Sequence, residues 1–153
     1  MSLLHMHLLL NHFPVIGTII VIALFGVAIL WRNNSVARVS LGLLASLGAI
    51  ALLVYFTGEP AEESIEHLPG FSETITERHE EFALAATIVL ASVSALALGA
   101  LLFLRKREIP RWVTVSAFAL SLVAGGMMGY TAMLGGQVRH TEVRPGTVIV
   151  HDD

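Results

Sequence analysis

Charged residues leave four long gaps in this chain. Uncharged, mainly apolar stretches run from Phe13 to Trp31, Val39 to Phe56, Phe82 to Leu104 and Trp112 to Leu134. Each holds roughly 20 residues, the length of helix that crosses a hydrocarbon core about 30 Å thick at about 1.5 Å per residue. Backbone amides in lipid must pair within their own segment, so the stretches are expected to be helices. The pattern predicts an all-α fold, a bundle of four transmembrane helices in a single membrane domain. The spans are expected at about 13–31, 39–56, 79–104 and 112–135, with an outer loop at 57–78 containing a short helix and an outer C-terminal tail at 136–153. The leading "MSLLHMH" has no Lys or Arg, and no A-x-A-like site follows it. The first span therefore reads as a retained helix and not as a signal peptide.

Punctuation residues refine the boundaries. Gly58 suits the end of the second span, Pro60 the first turn of a short loop helix, and Pro69-Gly70 its end. Thr74 with Glu77 fits a capping box, which starts the third helix before the membrane. At the first span, either Asn11 caps the helix or the helix starts near Ser2 and Pro14 bends it. Gly135-Gly136 is expected to end or loosen the fourth helix. Small residues repeat every four positions at Ala83, Thr87, Ala91, Ala95 and Gly99, and again at Ala117, Ser121, Gly125 and Gly129. Such ladders let helix backbones approach closely. They are expected to join spans three and four, or two copies of the protein as a homo-oligomer.

Composition agrees with the gaps. The chain of 153 residues is 55% apolar and 14% charged, with mean hydropathy +0.75. A soluble domain carries about 25% charged residues. With no cysteine, disulfides, thiolate ligands, iron–sulfur clusters and Cys-attached haem are excluded. The net charge of −3 gives no footprint for nucleic acid. Six of the nine basic residues, Arg32, Arg38, Arg105, Lys106, Arg107 and Arg111, lie in the two short loops. These loops are expected inside the cell, which places both termini and the middle loop outside. Trp31 and Trp112 then fall at the inner interface.

The chemistry collects on the expected outer side. It carries all seven histidines, His5, His7, His12, His67, His79, His140 and His151, and all acidic residues except Glu108. The density of histidine there is several-fold above ordinary usage. An imidazole at a membrane boundary is costly without a partner, which makes it a functional candidate. His12 opens span one, His79 stands a turn above Phe82 on the face of the small-residue ladder, and His140 follows span four. His67 adds a fourth imidazole from the loop, with Glu63 four residues before it on one helix face. Ends of this kind converge near the axis of a four-helix bundle. The "HMH" at His5 to His7 is less telling, since its two rings align poorly on a helix, and His151 reads as incidental. Neutral imidazole suits haem iron, zinc, copper or non-haem iron. For haem, Arg78 and Arg139 are candidates to meet propionates; for a bare ion, Glu63 and the neighbouring Glu59, Glu62 and Glu66 are candidate carboxylates.

The pieces "LNHFPVIG", "TGEPAEE", the His-Glu opening of span three and "GGQVRH" resemble small bacterial four-helix integral membrane proteins of a domain-of-unknown-function class. The resemblance implies a bacterial inner-membrane protein, and a redox setting, because relatives of this type are joined to cytochrome-type domains. Three readings follow. The first is a haem b protein of the periplasmic face that moves electrons to a redox partner there. The second is a His/carboxylate site for zinc, copper or iron. The third is an accessory or scaffold subunit without a cofactor. A stand-alone enzyme is less expected, because no nucleophile elbow, phosphate loop or H-E-x-x-H motif occurs. No charged residue lies inside a span, so a transmembrane ion or proton pathway finds no support.

Overall fold

The computed structural model describes residues 3–144. It is all-helical among these residues and contains four helices long and apolar enough to cross a membrane. The helices are α1 (Leu3–Leu10), α2 (His12–Leu30), α3 (Asn34–Phe56), α4 (Gly58–Glu63), α5 (Glu73–Phe103) and α6 (Arg111–Arg139), followed by a 3-10 turn at Thr141–Val143. The expected tail beyond residue 144, with His151, lies outside the described residues.

The four long helices run up, down, up and down. α3 packs on α2 and α5, and α6 packs on α5 and returns to α2, which closes a square. The buried positions of α2 are Pro14, Thr18, Val21, Phe25 and Ala28, spaced alternately four and three residues apart. In α3 the same alternation appears at Ala37, Leu41, Leu44, Gly48 and Ala51. This is the seam of a left-handed antiparallel bundle. Outside it the helices are apolar too: Ile19, Leu53, Leu96, Leu102 and Phe103 are all exposed. Lipid tails are as apolar as these side chains, so close packing, and not apolar burial, must hold the helices together.

Close packing needs small residues and satisfied hydroxyls. Thr18, Ser40 and Ser121 are buried and each donates to a carbonyl on its own helix, at 2.8, 2.8 and 2.7 Å. Ser94 of α5 instead donates across to Leu44 O of α3 at 2.6 Å, beside Gly48, whose missing side chain lets the two backbones approach. At two positions the small-residue ladders meet helices other than each other. Ala91 faces Gly48 of α3, and Gly125 faces Thr18 and Ile22 of α2. Ala95, Gly99 and Gly129 face outward. A four-residue step turns the helix about 400°, so such a ladder drifts about 40° per step around the axis. It serves one neighbour for two or three steps and then leaves it.

Both ends are tied by side chains. Where the arginines collect, Arg38 of α3 donates to Leu104 O at 2.9 Å and to Arg107 O, so a cation covers the negative C-terminus of α5. Asn34 accepts from Ile109 N at 2.8 Å. The chain passes from α2 to α3 through Arg32, whose φ of 49° lies in the left-handed region where glycine is the usual residue. At the opposite, histidine end, α1 continues almost straight into α2. Asn11 is itself helical (φ −62°, ψ −22°) and its side chain caps nothing. Of the two expectations for this segment, the long helix is the one found. α5 starts at Glu73 after Ser72, one residue before the capping box expected at Thr74. α6 runs through Gly135-Gly136 to Arg139, so these glycines do not end it.

Candidate functional site

At the histidine end α1 packs on α4 and on the end of α3, and the start of α5 lies beside the end of α6. His7 follows from the α2 seam. Counting back from Thr18 and Pro14 in alternating steps of four and three reaches Asn11 and then His7, so a helix that passes unbroken through Asn11 turns His7 inward. Its Nδ1 lies 3.2 Å from Val54 O and 3.2 Å from Thr57 Oγ1. The Thr57 hydroxyl spends its own proton on Val54 O at 2.8 Å. Both neighbours of Nδ1 are therefore acceptors, and His7 must carry its proton on Nδ1.

His79 is placed the same way from α5. Its Nδ1 lies 3.2 Å from Thr131 O of α6, again an acceptor. The ring packs on Gly135, where an added Cβ would stand 3.1 Å from His79 Cε1. Both half-buried imidazoles thus present an Nε2 lone pair, and no hydrogen bond reaches either Nε2 among the described residues. The two rings lie within electrostatic reach of one another.

Two carboxyl groups lie near this end, Glu62 half-buried and Glu80 exposed. Glu62 of α4 comes near enough to Glu80 of α5 for the two carboxyls to share a hydrogen bond when one of them holds a proton. That bond, then burial, then repulsion from Glu80 and Glu66 push the Glu62 carboxyl up to about 7, against the opposing charge of His79. A raised folded-state value means that the protonated form favours the folded state. The Glu62 contribution is present in full below about pH 4.5 and is lost as pH rises through about 7. Amide exchange in α4 of chelator-treated protein should speed up across this window. Glu62→Gln, neutral at every pH, should flatten that dependence; a slope unchanged by the substitution would assign it elsewhere.

The expected histidine set does not assemble. His12 is exposed, one residue past the seam, and its Nδ1 lies 2.9 Å from Leu8 O on its own helix. His67 is exposed beside Glu66 at 3.2 Å. His140 is exposed and pairs with Glu142 at 2.9 Å. Of the four, only His79 turns into the bundle, and its companion is His7. Glu63 does not share a helix face with His67, because α4 stops at Glu63 and turns follow; Glu62 is the residue that faces α5. Glu59 and Glu66 are exposed. Arg78 donates to Tyr130 Oη at 2.9 Å, and the Tyr130 ring stands edge-on to Phe82 at 4.6 Å. Arg139 is exposed. The signal that finds His7 is present in the sequence: the four–three spacing of span one, continued toward the N-terminus.

A cavity of about 20 Å³ lies beneath Ile65, Leu68 and Phe71, and a larger one of about 280 Å³ lies at the arginine end; neither is lined by His7 or His79. The face of His79 against Gly135 is already filled by helix backbone. Among the described residues, no three His or carboxylate side chains stand together in a ready-made coordination shell. Comparison with protein-family models, curated proteins and solved structures finds no match for this chain.

Proposed function

We propose that this multi-pass membrane protein binds a transition-metal ion at its histidine end, the ion itself drawing together Nε2 of His7, Nε2 of His79 and a carboxylate of Glu62 or Glu80. The observation that carries this reading is the fixed tautomer of both rings. Metal-ligating histidines almost always donate their second ring N–H to a carbonyl or carboxylate, which orients the ring and makes the free nitrogen a better donor. Here two rings from different helices are held so, and neither free nitrogen has a hydrogen-bond partner among the described residues. Neutral imidazole with carboxylate suits zinc, copper or iron. An ion would release the proton that Glu62 and Glu80 share and would tie α1 to α5. The excess of Lys and Arg at the opposite end supports an orientation with the metal site and both termini outside, which in a bacterial inner membrane is the periplasmic face.

The test is a cobalt and zinc titration of chelator-stripped protein in mild detergent, with elemental analysis. A single ion per chain is expected, with affinity reduced in His7→Ala and in His79→Ala by more than the about 10- to 100-fold that loss of a ligand's outer hydrogen-bond partner costs. His12→Ala, His67→Ala and His140→Ala should bind as the unaltered protein does. No uptake, or uptake indifferent to His7 and His79, would overturn the reading and leave an accessory subunit without a metal.

A further inference from the structure

The larger cavity lies at the other end of the bundle, and its lining is chemically divided. It measures about 280 Å³ and opens between the α2–α3 turn and the α5–α6 loop. Its lining includes the exposed Arg32, Asn33, Glu108 and Arg111, and the apolar Ala28 and Ile29, which are buried and half-buried. Among the described residues neither guanidinium forms an ion pair or hydrogen bond, and neither does the Glu108 carboxylate. The other arginine at this end that points inward, Arg38, is fully engaged by the carbonyls of α5. Two free cations and one free anion thus line a half-open cavity together with apolar side chains.

Its depth is fixed by the neighbours of the two arginines. Trp31 precedes Arg32 and Trp112 follows Arg111, and both indoles are more than two-thirds exposed. Exposed tryptophan at the ends of apolar spans marks the headgroup region of a bilayer. The cavity therefore opens where phosphodiester groups stand. Guanidinium groups recognise phosphate oxygens through charge-assisted hydrogen bonds. A carboxylate beside them would repel a purely anionic ligand but pairs with an ammonium group. Arg32 also occupies a left-handed backbone position that glycine fills at lower cost, so the turn itself gives no reason for an arginine.

We propose that this cavity binds the headgroup of an aminophospholipid: Arg32 and Arg111 hold the phosphodiester, Glu108 receives the primary ammonium, and the first acyl carbons lie over Ala28 and Ile29. The site is independent of the metal at the far end.

The experiment uses chelator-stripped protein in mild detergent, offered equal amounts of phosphatidylethanolamine, phosphatidylcholine and phosphatidylglycerol, with retained lipid read by native mass spectrometry. Phosphatidylethanolamine should be retained about tenfold over the other two, the scale of one charge-assisted hydrogen bond. Arg32→Gly and Arg111→Gln should lose retention of all three. Arg32→Gly relaxes the turn, so its loss of lipid cannot be assigned to misfolding. Glu108→Gln should abolish the preference over phosphatidylcholine while leaving phosphatidylglycerol bound. Equal retention of the three lipids by the unaltered protein, or full retention by Arg32→Gly, would overturn the proposal. A rise in melting temperature with inorganic phosphate as large as that with phosphatidylethanolamine would also overturn it, since the ligand would then be soluble phosphate.

Discussion

Replacing Gly48 by valine is expected to part α3 from α5 and to cost about 3 kcal/mol or more, at the upper end of what overpacking costs in a well-packed core. A Cβ at this position would stand 2.7 Å from Ser94 Oγ and 3.4 Å from Ala91 Cα. None of these atoms is the far end of a flexible chain, so the helices themselves must separate. Separation breaks the Ser94–Leu44 hydrogen bond, which by itself is worth about 0.6 kcal/mol in a membrane interior. The larger loss is dispersion contact along the seam, the main attraction left when lipid is as apolar as the core. Thermal melting in detergent is the measurement. Gly42→Val lies on the same helix, and an added Cβ there meets nothing within 4 Å; its melting temperature should be near that of the unaltered protein. Equal melting of the two variants would show that α3 and α5 do not approach as described.

If the histidine end binds metal as proposed, Gly135→Val is expected to weaken that binding sharply while leaving the bundle folded. The added Cβ would press on His79 Cε1 from 3.1 Å, and a branched side chain there has no room beside the ring. His79 would have to rotate away from Thr131 O, losing the bond that fixes its tautomer. Losing the hydrogen bond that orients a ligating imidazole costs about 10- to 100-fold in metal affinity. Gly136→Val, where an added Cβ meets nothing within 4 Å, is the matched control and should bind normally. If both variants bind metal equally well, the His79 ring is not held by α6 as the geometry requires.

The histidines show why a count of residue types stops short of a site. Their gathering toward one end was legible, because charge-free spans of fixed length leave few places for polar residues. Which rings face one another depended on helical phase. His7 and His12 are five residues apart, about 500° of rotation, so the two cannot share a face. A helix starting at Asn11 would have left the phase of His7 undefined. The uninterrupted helix through Asn11 fixed it. The same reasoning applies to Glu62 and Glu63, adjacent in sequence and facing opposite surroundings.

The four spans, their helical state, their order and the charge asymmetry of their ends were determined by the sequence alone. Hydrocarbon thickness and the need to pair every backbone amide leave a chain with these four gaps little choice. Neighbour relations were decided only in three dimensions. The small-residue ladders drift around their helices, so that Ala91 meets α3 and Gly125 meets α2, while His79 reaches α6. Pairing Glu62 with Glu80 took the packing of α4 against the bundle, which joins residues that no local pattern connects. Period and composition act within one helix, whereas a site with two imidazoles and two carboxyls is made by the relative rotation of several.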